Sequence, residues 1–291
     1  MLEARDVTVL ANGNTLLRQA TVAARPGRVL VMIGPNGAGK STLLRVLSGE
    51  LLPSRGQALL DGRDLATYPS AELARRRAVV PQSSMLAFPF TVLEVVMLGV
   101  TVPGFTASNS TATEAAMQAL DSVALSALEN RLYVHLSGGE RQRVHIARAL
   151  CQLSQPTFRA GESRCLLLDE PTSNLDLAHQ SLVLDAVRRQ AERGCAVLAV
   201  MHDLNLAAAL ADDMVLLVRG QVAAAGPAHE VLQDDLLSAA YGCAVFANRT
   251  PGRDCPFVLP PAVFLPQRGI AARPAAASPP LPLHVHRTPG G

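Results

Sequence analysis

The sequence predicts an α/β domain with a mainly parallel core sheet, an antiparallel β portion at its N-terminus and a helical insertion. Three observations predict it. The aliphatic run Val29-Leu30-Val31-Met32-Ile33 has the pattern of a strand buried on both faces of a sheet. A glycine-rich loop follows it at once and leads into helical spacing. Further along, apolar strand-like runs alternate with helical periodicity, the order that yields parallel strands joined by helices.

Each element has its own reason. Alternation over Glu3 to Val9, the turn residues Asn12-Gly13-Asn14 and a second run over Leu16 to Ala23 read as two strands joined by a turn. Arg25-Pro26-Gly27 is a further turn. From Lys40 to Glu50, Leu43, Leu44, Val46 and Leu47 recur at helical spacing. Strand signals then disappear between Ser83 and about residue 160, where 92–98, 112–128 and 138–153 read as helices. Sheet character returns at 165–168, 195–201, 214–218 and 222–225, with helices over 177–193 and 204–211 between them. The last plausible strand is 256–260, and proline, glycine and alanine dominate the rest.

Composition narrows the classes. With 49% hydrophobic residues in 291, the chain has ample material for a packed core. Its longest apolar runs are far short of the roughly 20 residues a membrane-spanning helix requires. The opening MLEARDVTVL carries acidic and basic residues within its first six positions and has no signal-like apolar stretch, so a cytosolic location is expected. A net charge of +2 is too small for the field that non-specific nucleic-acid binding needs, so nucleic acid is not an expected partner. Arg75-Arg76-Arg77 reads as a solvated face. The five cysteines Cys151, Cys165, Cys195, Cys243 and Cys255 form no C-x-x-C pair, so buried or idle thiols are expected.

The chemistry begins at Gly34-Pro35-Asn36-Gly37-Ala38-Gly39-Lys40-Ser41, which matches G-x-x-x-x-G-K-[ST] between a buried strand and a helix. Glycines let successive backbone N–H groups turn inward, and the helix adds its positive end to attract phosphate. Lys40 is expected to reach the β- and γ-phosphates, Ser41 to ligate Mg²⁺, and Thr42 to add a phosphate contact. Cys165-Leu166-Leu167-Leu168-Asp169-Glu170 is an apolar strand ending in carboxylates. Asp169 is placed to hold Mg²⁺ and Glu170 to polarise the attacking water as general base.

Leu136-Ser137-Gly138-Gly139-Glu140-Arg141-Gln142 narrows the P-loop class further. Ser137, Gly138 and Gly139 offer a hydroxyl and bare N–H groups at a helix start. With these three segments the chain resembles the nucleotide-binding subunits of ABC transporters, over about residues 2 to 260. The resemblance implies a P-loop ABC ATPase fold that binds ATP with Mg²⁺. It also implies a homodimer in which the Ser137 cap faces the γ-phosphate held by the opposite copy. Gln82 looks like the glutamine that contacts Mg²⁺ and the attacking water, His202 like the switch histidine at the γ-phosphate, and Ser173-Asn174-Leu175-Asp176 like the loop crossing the dimer seam. Asn174 stands where many members have alanine. Near Leu10 to Asn12 no aromatic residue is present for the adenine ring to stack on, so loose discrimination between ATP and GTP is expected.

The resemblance also sets the expected setting: a peripheral subunit on the cytoplasmic face of a bacterial inner membrane. It would work under two transmembrane permease subunits, with a periplasmic substrate-binding protein engaged only indirectly. Met201-His202-Asp203-Leu204-Asn205-Leu206-Ala207-Ala208 is similar to importers of iron chelates, haem or vitamin B12. Gln82-Ser83-Ser84 with 86–92, and Leu177-Ala178-His179-Gln180, are similar to haemin-import ATPases, as is the long 155–164 segment. Phe88 to Val96 would lie in the groove for the permease's coupling helix or pack locally within the insertion. Ferric siderophore or cobalamin remain alternative cargoes. A non-transport ABC ATPase is a further alternative, disfavoured because only one cassette and no long coiled coil is present. The domain is expected to span 1–262, with the insertion at about 83–160, followed by a disordered Pro/Ala-rich tail over 263–291 in which His284 and His286 are solvated.

Overall fold

The computed structural model describes residues 1–82, 88–101, 109–154, 162–252 and 254–260. Its elements are β1 (Leu2–Ala11), β2 (Asn14–Ala24), β3 (Val29–Ile33), α1 (Lys40–Leu47), β4 (Arg55–Leu60), β5 (Arg63–Asp64), α2 (Ser70–Arg76), β6 (Arg77–Val80), α3 (Val92–Met97) and α4 (Asn109–Asp121). Then follow α5 (Gly138–Leu153), β7 (Cys165–Asp169), α6 (Leu177–Glu192), β8 (Ala196–Val200), α7 (Leu204–Leu210), β9 (Asp213–Val218), β10 (Gln221–Gly226), α8 (Ala228–Val231) and α9 (Asp234–Tyr241).

Two sheets form. The core sheet has the order β10-β9-β3-β8-β7-β6 and is parallel throughout except for the β9–β10 hairpin. The other, β2-β1-β4-β5, is antiparallel. In β3 the side chains alternate between two cores: Val29, Val31 and Ile33 join the helices of one, Leu30 and Met32 join α1 and the antiparallel sheet in the other. This two-sided burial is why the strand reads as an unbroken aliphatic run. Helix α1 is wedged between the two sheets, with Leu43, Leu44, Val46 and Leu47 buried.

Several expectations change. The antiparallel portion has four strands, because β4 adds to β1 and β5 to β4. Helix α4 ends at Asp121, and Ala124 takes a left-handed φ of 53°, so the stretch read as one helix to 128 turns before Leu125. Residues 256–260 form no strand. The arginine cluster is not a solvated face. Arg76 is buried, ion-pairs with Asp61, donates to the Ser163 carbonyl at 3.3 Å and lies over the Tyr68 ring. The Arg77 Nε and Nη1 atoms are also buried. Cys151, Cys165 and Cys195 are buried, and Cys243 and Cys255 are exposed. The 263–291 tail with His284 and His286, Ser83, Ser84, Leu86 and Ala87 of the haemin-type motif, and most of the 155–164 segment lie outside the described residues. Among the described residues no helix is long and apolar enough to cross a membrane.

Candidate nucleotide site

The site gathers at the C-terminal edge of the core sheet, where α/β proteins place their ligands. Strand β3 is central, flanked by β9 and β8, and delivers the loop from Gly34. Gly34 has φ +142°, and a Cβ there would lie 2.1 Å from the Leu217 carbonyl oxygen, so only glycine fits. Gly39, at φ +101°, precedes α1 and presses against the Leu16 carbonyl in the same way. The loop is closed by Ala38 N–H to the Pro35 carbonyl at 3.2 Å and tied to the β9–β10 turn by Gly220 N–H to the Ala38 carbonyl at 3.0 Å.

Lys40 is 6% exposed, and its Nζ donates to the carbonyls of Gly34 at 2.7 Å and Pro35 at 2.9 Å. An ammonium has three N–H donors, so one is left for a phosphate oxygen. Burial lowers the Lys40 pKa, while the Glu170 and Asp169 carboxylates oppose that shift. The Ser41 Oγ lies 3.5 Å from Asp169 Oδ1 at the end of β7. Burial raises the Asp169 pKa, opposed by the Ser41 hydroxyl and reinforced by the neighbouring Glu170 charge.

Glu170 follows β7 with a left-handed φ of 54°, and its N–H donates to the Val200 carbonyl at 3.0 Å. This bend sends its side chain toward the residue after β8, where His202 Nε2 stands 2.5 Å from Glu170 Oε1. Gln82 stands just beyond β6. Residues Asn36 to Thr42 together with Leu16, Gln82, Glu170 and His202 line one open depression of about 430 Å³.

Ser137, Gly138 and Gly139 are not part of that lining. Ser137 caps α5 in a capping box: its Oγ accepts from Glu140 N–H at 3.2 Å while Glu140 Oε2 accepts from Ser137 N–H at 2.7 Å. In the cap the hydroxyl accepts from a backbone N–H and also hydrogen-bonds the Glu140 carboxylate; the Ser137 N–H first, and this bond with it, hold that carboxyl below its usual range. These residues line a second depression of about 520 Å³ with Arg143, Asn174, Asp176 and His179. The predicted residues therefore divide into two surfaces of one chain.

Two contributors escape sequence reasoning. Leu16, on β2, lines the first depression, and nothing in its neighbourhood resembles a motif. Tyr241, at the end of α9, comes up against the Gly34 backbone; burial raises its pKa and the Gly34 backbone opposes the rise.

A buried strand, a glycine loop folded around a lysine, and carboxylates at the end of the next strand but one define a P-loop nucleotide-binding protein. The family model for ABC transporters matches residues 17–173. The hemin import ATP-binding protein of Rhizobium meliloti (strain 1021) is 45% identical over 260 residues, 89% of this chain and 98% of that protein. The protein of the same name from Myxococcus xanthus (strain DK1622) is 47% identical over 259 residues, 89% and 96% of the two chains. The dimeric structure of a bacterial ABC transporter cassette superposes with a TM-score of 0.69 at 26% identity, covering 78% of this chain and 99% of that one. The chain belongs to the ABC transporter family and is one of its ATPases.

Proposed function

We propose that this chain is the ATP-hydrolysing subunit of an importer that takes haemin across the cytoplasmic membrane. The observation carrying the ATPase half is the single depression that holds the phosphate loop together with Gln82, Glu170 and His202. The cargo half is supported by the relatives named for hemin import, which align with nearly the whole domain. We assign that domain to 1–262, with an insertion at about 83–160 and a tail after it.

In this reading Lys40 and the loop N–H groups bind the triphosphate, and Thr42 adds a contact. Ser41, Asp169 and Gln82 offer oxygen donors of the kind Mg²⁺ prefers, and the buried, pKa-raised Asp169 gains from a nearby cation. When bound there, Mg²⁺ would supply neutralisation of the phosphate charge. Glu170 takes the proton of the attacking water, and His202, hydrogen-bonded to that carboxylate, orients it at the γ-phosphate. The Ser137 hydroxyl and the Gly138 and Gly139 N–H groups complete the site of a second copy, so closure of the homodimer and ATP binding are one event. Two such subunits sit at the inner membrane's cytoplasmic face under two permease subunits, and a periplasmic binding protein reaches them only through the permease.

The test is reconstitution of this chain with its co-purifying permease in vesicles, followed by ATP-dependent uptake of haemin, a ferric siderophore and cobalamin in parallel. Haemin alone should accumulate. Uptake of siderophore or cobalamin instead replaces the cargo, and absence of any membrane partner in the pull-down removes the transporter reading.

A further inference from the structure

The segment Leu177-Ala178-His179-Gln180 has no role in the chemistry above, yet His179 lines the same depression as Ser137. Asp176 is the N-cap of α6, and one of its oxygens, Oδ1, receives two bonds from the same residue: the His179 backbone N–H at 2.9 Å and the imidazole Nδ1 at 2.7 Å. The carboxylate accepts both, so the proton sits on Nδ1 and the ring is held in one orientation.

Asp176 ends a loop that touches both nucleotide surfaces. At its start the Ser173 hydroxyl donates to the Glu170 carbonyl at 2.9 Å, and the Gln142 side chain of α5 reaches the same carbonyl at 3.5 Å. In its middle Asn174 takes a left-handed φ of 61°. Its carbonyl runs so close to α5 that a Cβ on Gly139 would lie 2.8 Å from that oxygen. The loop therefore joins the backbone of Glu170 in one site to the glycine of the cap that serves the other, and His179 fastens its far end.

We infer that His179 is a positioning residue, which fixes the 173–176 loop through Asp176 so that the serine-glycine cap and Glu170 are set relative to one another when two copies close. This rests on the shared-site reading above. The Asp176 and His179 side chains are 66% and 36% exposed in the single chain, and exposed pairs add little to stability. Its loss should then register in turnover and closure, with folding intact.

The experiment uses the full chain with His179→Leu, which removes the bond, and His179→Asn, whose Nδ2 stands in for the imidazole Nδ1. Turnover is measured as kcat and KM, binding to the separate chain with a fluorescent ATP analogue, folding by Tm. Closure is measured as the ATP concentration giving half-maximal dimer in a Glu170→Gln background. His179→Leu should lower kcat at least about fivefold, the scale of one lost solvent-exposed hydrogen bond, and raise the dimerisation midpoint. Analogue binding and Tm should stay unchanged, and His179→Asn should recover most of both losses. Unaltered kcat and midpoint in His179→Leu, an asparagine variant no better than leucine, or a fall in Tm that accounts for the lost activity each overturns the inference. If Glu170→Gln alone forms no ATP-dependent dimer, the shared-site reading fails instead.

Discussion

His202 Nε2 and Glu170 Oε1 stand 2.5 Å apart, joining the ends of the neighbouring strands β8 and β7 beside the phosphate loop. Two groups in one hydrogen bond act as a unit, so their removals should not add. Glu170→Gln is expected to lower ATP hydrolysis at least about 100-fold and to accumulate an ATP-bound dimer. The double variant Glu170→Gln/His202→Ala should be no slower than Glu170→Gln alone. Phosphate-release assays and size-exclusion chromatography with ATP check both points; undiminished hydrolysis in Glu170→Gln assigns the base elsewhere.

Lys40 reaches back to two carbonyls of its own loop, so it serves the loop's shape as well as phosphate. Lys40→Ala should weaken ATP binding by about 10–100-fold, the range for charged hydrogen bonds. Lys40→Arg should not restore it, because the planar guanidinium cannot reproduce a point charge in that fold-back. Equilibrium titration with nucleotide decides, and near-native affinity for either variant contradicts the assignment.

Leu16 lines the nucleotide depression from β2, and no aromatic stands near Leu10 to Asn12 to stack on the base. ATP and GTP should therefore bind within about tenfold of each other, under ~1.4 kcal/mol of discrimination. Leu16→Tyr should tighten ATP binding by about 1 kcal/mol if the ring can reach the base. Competition binding with both nucleotides measures this, and a strong adenine preference in the native chain refutes it.

Asp61 carries the pH prediction. Burial raises its pKa, but hydrogen bonds from the Met1 ammonium and from Ser163, with the ammonium's charge, outweigh burial and bring it down to about 2. A carboxyl depressed in the folded state stabilises the fold above its unfolded pKa, and that stability is lost as pH falls through the folded value. The stability gap between native chain and Asp61→Asn should thus be full at neutral pH and shrink between about pH 4 and pH 2. Urea midpoints at stepped pH follow it; a gap that widens on acidification contradicts the sign.

What the sequence made legible tracks how local each signal is. The run Val29–Ile33 and the loop after it announce themselves because burial on two faces and phosphate binding each demand particular residues over a few positions. Strand β4 stayed hidden because its first half, Arg55-Gly56-Gln57, is exposed and polar, and its pairing partner β1 is far away in sequence. Strand β6 is four residues long and begins where α2 ends, without a turn to mark it. Arg76 misled because a basic run normally faces water, whereas its partners Asp61, Tyr68 and Ser163 come from three separate segments. Leu16 enters the site only through the packing of β2 on the glycine loop, which no spacing encodes.

The left-handed backbone at Glu170 sets stability and chemistry against each other. An L-residue other than glycine held there costs about 1–2 kcal/mol, more than the about 0.5–1 kcal/mol of chain entropy that a glycine would add to the unfolded state. Glycine at this position should leave the protein as heat-resistant as before, or more so, and incapable of turnover. Screening variants for thermal tolerance alone would therefore enrich inert molecules, and only a screen that reads released phosphate would keep the glutamate.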